Sequence, residues 1–217
     1  MRERIGPYRV ERVLGTGAFA TVWLAHDEGL DAHIAIKVLA DNWALDEEVR
    51  RRFTEEARIL WRAASDHIIR VHTIGELEDG RPYFAMDYAD RGSLAERMAA
   101  RASDGRPYSV DEAVRTSVDI ADGLAVAHAL GIVHRDLKPA NVLYQSVGQH
   151  HGGDVEERPV LADFGIARSL ARSRGTTIAT GTSSRSAEIG ASGSCCWALI
   201  TRLADSYGNG TRPASSS

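Results

Sequence analysis

The chain has 217 residues, 43% hydrophobic and 26% charged, with a formal net charge of −4. This is the make-up of a globular protein with one or two cores, and it offers no basic run for nucleic acid. The only cysteines, Cys195 and Cys196, are neighbours and cannot staple distant segments, which excludes a disulfide framework and suits a reducing cytoplasm. No stretch reaches the roughly 20 apolar residues of a membrane helix, and the N-terminus has no apolar run fit for a signal peptide.

Residues 8–40 read as three strands: Tyr8 to Leu14, Ala20 to Ala25 and Ile34 to Leu39, each alternating or rich in β-branched residues. Between the first two lies Gly15-Thr16-Gly17-Ala18-Phe19-Ala20. Glycines at such a corner let backbone N–H groups approach phosphate oxygens, although a glycine pair alone also makes an ordinary hairpin turn. A dinucleotide-binding loop would be followed by a helix; here a strand pattern follows, which fits a flap over phosphates. Lys37 sits between apolar Ile36 and Val38. By itself it reads as an edge-strand surface lysine; facing inward from a rigid strand, it could hold phosphates as a point charge.

A helix is expected over 46–63, with acidic residues in its first turn and Arg62 near its end. Val49, Phe53, Glu56/Ala57 and Leu60 form its apolar stripe. A carboxylate there is costly unless paired, so Glu56 either meets Lys37 or reaches solvent beside Glu55, the alternative partner. Ile68 to His72 and Tyr83 to Tyr88 read as strands joined across Asp79-Gly80. Strand character ends near Gly92, and Ser93 is placed to cap a helix from Leu94. The break near 86–92 divides a β-rich segment from an α-rich one.

Residues 109–130 form a long helix started by Ser109 or Asp111 and ended by Gly131. Its main face is Ala113, Ser117, Ile120/Ala121, Leu124 and Ala127/His128; Val110, Val114, Val118 and Val126 widen it, so burial on more than one side is expected. Then comes His134-Arg135-Asp136-Leu137-Lys138-Pro139-Ala140-Asn141. Asp136 could accept a proton from an alcohol, Lys138 neutralise a phosphoryl oxygen and Asn141 offer oxygen to a hard cation such as Mg²⁺. Phosphoryl transfer needs these parts, since its catalysis is mostly positioning and charge stabilisation. Asn141 to Tyr144 and Pro159 to Ala162 read as a strand pair flanking a polar loop, 145–158, whose His150, His151 and Asp154 are better read as solvated than as a metal site. Asp163-Phe164-Gly165 follows, with a carboxylate at a strand end and a glycine that lets the chain swing.

Taken together, residues 8–182 resemble the eukaryotic-like serine/threonine protein kinases, in their bacterial branch. The resemblance rests on Gly15-Thr16-Gly17 with Val22, Ala35-Ile36-Lys37, Glu56, the run from His134 to Asn141, and Asp163-Phe164-Gly165. Ala20 replaces the third glycine of the loop. The resemblance implies an α+β, two-lobed protein-kinase-like fold: a β-rich N-lobe with one helix over 8–86, a hinge at 87–92 and a partial α-rich C-lobe over 93–182. Catalytic roles are implied for Asp136 as base, Lys138 at the γ-phosphate, and Lys37 with Glu56 orienting ATP. Asn141 and Asp163 would hold Mg²⁺, with Mn²⁺ as the alternative ion. The nucleotide would be bound by Gly15, Thr16, Gly17 and Ala18 at its phosphates. Its adenine would lie among Leu14, Val22, Ala35 and Leu143, with the Asp87 and Ala89 backbones at its edge. Protein substrates are implied, with autophosphorylation at Thr176, Thr177 or Thr180, where Arg135 would find an anionic partner.

After Thr182 the resemblance stops: there is no Tyr-x-x-Pro-Glu segment, and 183–217 is rich in Ser, Gly and Ala. Ala198 to Ala204 could make one or two helical turns. The expectation is a disordered tail from a truncated or out-of-frame reading, with a lower lobe of marginal stability. The competing functional reading is a nucleotide-binding scaffold that no longer turns over, or a non-functional fragment.

Overall fold

The computed structural model describes residues 3–147 and 156–164. The expectations for His150, His151, Asp154, Gly165, Thr176, Thr177, Thr180 and the tail from 183 lie outside the described residues. Backbone contacts divide the chain into two compact units. Of the described residues, 3–89 and Phe164 belong to the first, and 90–163 to the second.

The first unit is built on a six-stranded sheet in the order β1-β2-β3-β4-β6-β5. Its strands are β1 (Arg4–Ile5), β2 (Tyr8–Thr16), β3 (Ala20–Asp27), β4 (Ala32–Leu39), β5 (Val71–Glu76) and β6 (Pro82–Asp87), paired antiparallel throughout. Side chains alternate between the sheet faces. Ile34, Ile36 and Val38 of β4 therefore join Ile5, Tyr8, Ala25, Leu77, Tyr83 and Ala85 in one buried cluster. The intervening Ala35 and Lys37 point the other way, opposite Met86 and Phe84 of β6.

That second face meets α1 (Glu47–Arg62), the one α-helix among the described residues of this unit, which buries Val49, Phe53, Glu56, Ala57 and Leu60. Asp46 caps it by accepting from the N–H groups of Glu48 and Val49, both at 3.1 Å. Phe53 lies 5.1 Å from Phe84, ring centre to ring centre. Such burial, at about 2 kcal/mol per large apolar side chain, anchors the helix to the sheet far more firmly than its own propensity could.

The second unit holds α2 (Leu94–Ser103), α3 (Val110–Ala129) and the hairpin β7 (Val142–Val147) with β8 (Glu156–Leu161). Both helices open with reciprocal caps, Ser93 with Glu96 and Ser109 with Glu112. Of the two candidate starts for α3, Ser109 is therefore the cap. Gly131 follows its end at φ +76°, a conformation that only glycine adopts without strain.

Three expectations shift. Ile68 and Ile69 are buried, but the continuous strand begins only at Val71; Ile68 makes an isolated bridge and Ile69 lies in irregular backbone. The β7–β8 pairing runs on through Gln145↔Arg158, Ser146↔Glu157 and Val147↔Glu156, positions that polarity alone marks as loop. Finally, α3 buries Thr116, Ile120, Gly123, Leu124 and Ala127, while Val110, Val114 and Val118 remain 52–55% exposed. Their stripe sits a quarter-turn or more from the buried one, so packing on a single side leaves it in solvent.

Candidate active site

Two constellations stand out, one in each unit. In the first, the Lys37 ammonium donates to Glu56 Oε1 at 2.7 Å. The Glu56 side chain is 2% exposed and that of Lys37 12%. The Lys37 Nζ also lies 5.6 Å from the centre of the Phe84 ring. Strand alternation puts Lys37 on the α1 side of β4, and the helical period brings Glu56 one turn after Phe53 onto the same interface. Glu55 points elsewhere and pairs with Arg51 at 3.2 Å in solvent. The choice between the two glutamates thus falls on Glu56.

On the same face, Val22 of β3 stands opposite both Gly15 and Lys37, and Ala35 precedes Lys37 by two residues. The turn between β2 and β3 is tight, with the Gly17 N–H donating to the Ala20 carbonyl at 2.8 Å. Gly15, Thr16, Gly17 and Ala18 are exposed there, and Leu14 is half-buried at the irregular end of β2. At the end of β6, the Asp87 N–H donates to the Arg70 carbonyl at 3.0 Å, and the Asp87 carboxylate meets His72 Nε2 at 2.6 Å. Asp87 can therefore contribute to an adenine edge only through its carbonyl. Ala89 is half-buried two residues further on.

In the second unit the Asp136 carboxylate is held from two sides. Lys138 Nζ donates to its Oδ2 at 2.9 Å and Asn141 Nδ2 to the same oxygen at 3.0 Å. Asn141 Nδ2 also donates to the Asp136 carbonyl at 2.8 Å. A carboxylate accepts only, so the carboxamide must turn its nitrogen inward; its oxygen is then the atom left for a hard cation. Pro139 opens a single 3₁₀ turn, Pro139–Asn141, which closes the loop over this short separation.

The loop is tied to the hairpin behind it. The Ala162 N–H donates to the Asn141 carbonyl at 2.9 Å, and His134, fully buried, bonds the Ala162 carbonyl through Nε2 at 3.1 Å. A carbonyl cannot donate, so Nε2 carries the proton. Burial pushes the His134 imidazole down to about 4, against the upward pull of that carbonyl and of Asp136 and Asp163. Asp163 comes directly after Ala162 and adopts φ +54°, as Arg135 does at +59°. Left-handed backbone at non-glycine residues is strained and clusters where function fixes it. Phe164 is buried at 1% exposure.

Leu143 is half-buried on β7 and bridges Ser93, while Tyr144 exchanges backbone hydrogen bonds with Arg91 and Gly92. Asp90 adds two more, from the Ser146 N–H at 2.8 Å and hydroxyl at 2.6 Å. Sequence reasoning missed Asp90 and Ser146, because a polar pair 56 positions apart leaves no periodic trace.

Asn141 and Asp163 supply hard oxygen donors, the chemistry that Mg²⁺ selects, and this ion commonly takes one or two protein oxygens with phosphates and water completing its shell. Among the described residues no group of three His, Cys, Asp or Glu side chains forms a metal cage by itself. No described helix is long and apolar enough to cross a membrane.

The protein kinase domain family matches this chain over residues 8–188. The chain is 39% identical over 179 residues to the serine/threonine-protein kinase PknJ of Mycobacterium tuberculosis, covering 80% of this chain and 28% of that protein. It is 41% identical over 160 residues to PknI of the same organism, covering 74% and 26%. The chain thus spans about a quarter of the length of these curated relatives. The crystal structure of the Mycobacterium tuberculosis PknI kinase domain superposes with a TM-score of 0.60 at 36% identity, over 75% of this chain and 61% of that one. The chain belongs to the protein kinase domain family, in its bacterial serine/threonine branch.

Proposed function

We propose that this chain transfers the γ-phosphoryl group of ATP to Ser or Thr hydroxyls of proteins, Thr176, Thr177 or Thr180 of its own chain among them. The observation that carries the reading is the Asp136 carboxylate held at Oδ2 by Lys138 and Asn141. Those two donors fix its direction, as a base for an alcohol requires. The hydroxyl gives its proton to Asp136 while its oxygen bonds the γ-phosphorus, and the bond to the β-phosphate oxygen breaks to release ADP. Lys138 offsets charge on the transferring group.

The first unit's share is the nucleotide. Lys37, held by Glu56, neutralises the α- and β-phosphates, while the glycine turn covers them and Leu14, Val22 and Ala35 take the adenine. Asn141 and Asp163 would hold Mg²⁺ or Mn²⁺, which supplies charge neutralisation at the phosphates when bound. Residues 87–92 are read as the hinge of the domain. Since ATP is the phosphoryl donor, the domain belongs in the cytoplasm.

The test is phosphate transfer from ATP and MgCl₂ to a general protein acceptor, with mass spectrometry of the chain itself. Asp136→Asn should lower the rate by about 10² or more, because an amide cannot accept the hydroxyl proton. Unchanged turnover in that variant would overturn the assignment. Thermal stabilisation by ATP with no transfer from the unsubstituted chain would favour the scaffold reading.

A further inference from the structure

Trp43 lies between the two elements that supply the buried ion pair. It ends a 3₁₀ turn, Asp41–Trp43, after β4 and before α1. Its N–H donates to the Ala40 carbonyl at 3.0 Å, and its own carbonyl accepts from the N–H of Asp46, the cap of α1, at 3.1 Å. Its side chain leaves this turn and reaches the glycine loop. The indole Nε1 donates to the Ala18 carbonyl at 2.9 Å. The ring stacks on Phe19, with centroids 5.0 Å apart and planes at 25°. The Phe19 carbonyl accepts from the Ala40 N–H at 2.9 Å, so both ends of the turn grip the loop.

We propose that Trp43 is a positioning residue for the phosphate-covering loop, clamping Ala18 and Phe19 so that the loop presents N–H groups rather than a carbonyl to an anion. This rests on the nucleotide reading above. A trans peptide points its carbonyl and the following N–H in opposite directions. Drawing the Ala18 carbonyl onto the indole therefore turns the Phe19 N–H to the side away from Trp43. The carbonyl it withdraws would repel a phosphate oxygen. The stretch Gly15 to Ala18 is exposed, and two of its residues are glycines whose freedom is lost on binding. Holding the next residue in place beforehand reduces that loss. The clamp is attached to the turn leading into α1, so a shift of the helix that carries Glu56 also moves the loop.

Two variants and two readouts decide it. Trp43→Ala removes stack and hydrogen bond; Trp43→Phe keeps the stack and removes the hydrogen bond. Hydrogen–deuterium exchange of the nucleotide-free chain should quicken over Gly15 to Phe19 in both, more in Trp43→Ala, while the buried centre of α1 exchanges as before. A fluorescent ATP analogue with MgCl₂ should bind about tenfold more weakly to Trp43→Ala and a few-fold more weakly to Trp43→Phe. For any transferred phosphate the loss should appear in KM for ATP, with kcat within about twofold, since no reacting atom touches the indole.

Loop exchange unchanged in both variants overturns the clamp, as does full nucleotide affinity in Trp43→Ala. If Trp43→Ala unfolds, Phe19→Ala takes its place, removing the stack while leaving the turn intact. An unsubstituted chain that binds no nucleotide removes the functional reading, and the exchange comparison then decides the clamp without it.

Discussion

The two units set their functional side chains by different means. In the first, Lys37 and Glu56 come from a strand and a helix and meet at 2.7 Å inside a packed interface. In the second, Asp136, Lys138 and Asn141 belong to one turn and meet within it. One pair is a product of tertiary burial, where breaking a charge–charge contact in a packed interface is costly. The other is a local, partly hydrated cluster, with the Lys138 side chain 42% exposed. The fold of the first unit should therefore depend on its site far more than that of the second.

The largest expected effect follows from this contrast. Glu56→Ala should destabilise the chain by about 3–5 kcal/mol in urea unfolding, because it breaks the buried 2.7 Å pair with the Lys37 ammonium and empties a packed position on α1. Glu55→Ala, one position away but paired in solvent, should stay within about 0.5 kcal/mol. Lys138→Ala should cost under about 1 kcal/mol of stability while reducing phosphoryl transfer. Equal destabilisation by Glu56→Ala and Lys138→Ala would erase the distinction.

The second unit does contain one deeply buried titratable group, and it sharpens the comparison. His134 is held at about 4 when folded against an ordinary 6.5. Its neutral form is the folded one, so the unfolded chain binds the proton first as pH falls. The stability it permits is complete above pH 6.5 and lost progressively down to about pH 4, by up to about 3 kcal/mol. His134→Asn should flatten that part of the stability curve, and an equally steep loss in the variant would disprove it.

A smaller effect concerns the start of α3. Ser109→Ala removes the cap on the Glu112 N–H and should cost about 1 kcal/mol. Glu112 is held down to about 2 by the Arg101 guanidinium and then by the Ser109 N–H. Its contribution is present above pH 4.5 and fades as pH falls toward 2. With both side chains more than a third exposed, the pair should be worth under about 1 kcal/mol and weaken with salt.

Where chemistry and fold were written locally, the sequence was readable. The stripe of α1 from Val49 to Leu60, the Ser93 and Ser109 caps and the Asp136 turn each depend on neighbours within a few positions. The start of β5 was misplaced because Ile68 and Ile69 are as apolar as strand residues, and only their packing distinguishes them. The extra pairs of the β7–β8 hairpin were hidden because an exposed strand can be polar on both faces. The extent of α3 was legible; that its valines at 110, 114 and 118 stay exposed was not, since periodicity marks an apolar face without naming what covers it.

The amino-acid sequence by itself determined which groups the proposed phosphoryl transfer would use and in what order they come, because hydrogen-bonding turns and helical periods are short-range. Only the tertiary structure decided that Glu56 rather than Glu55 meets Lys37, and that Trp43 reaches back 25 positions to hold the glycine loop. Those choices depend on which sheet face a helix packs against and where a connecting turn lands, and burial settles both only once distant segments have come together.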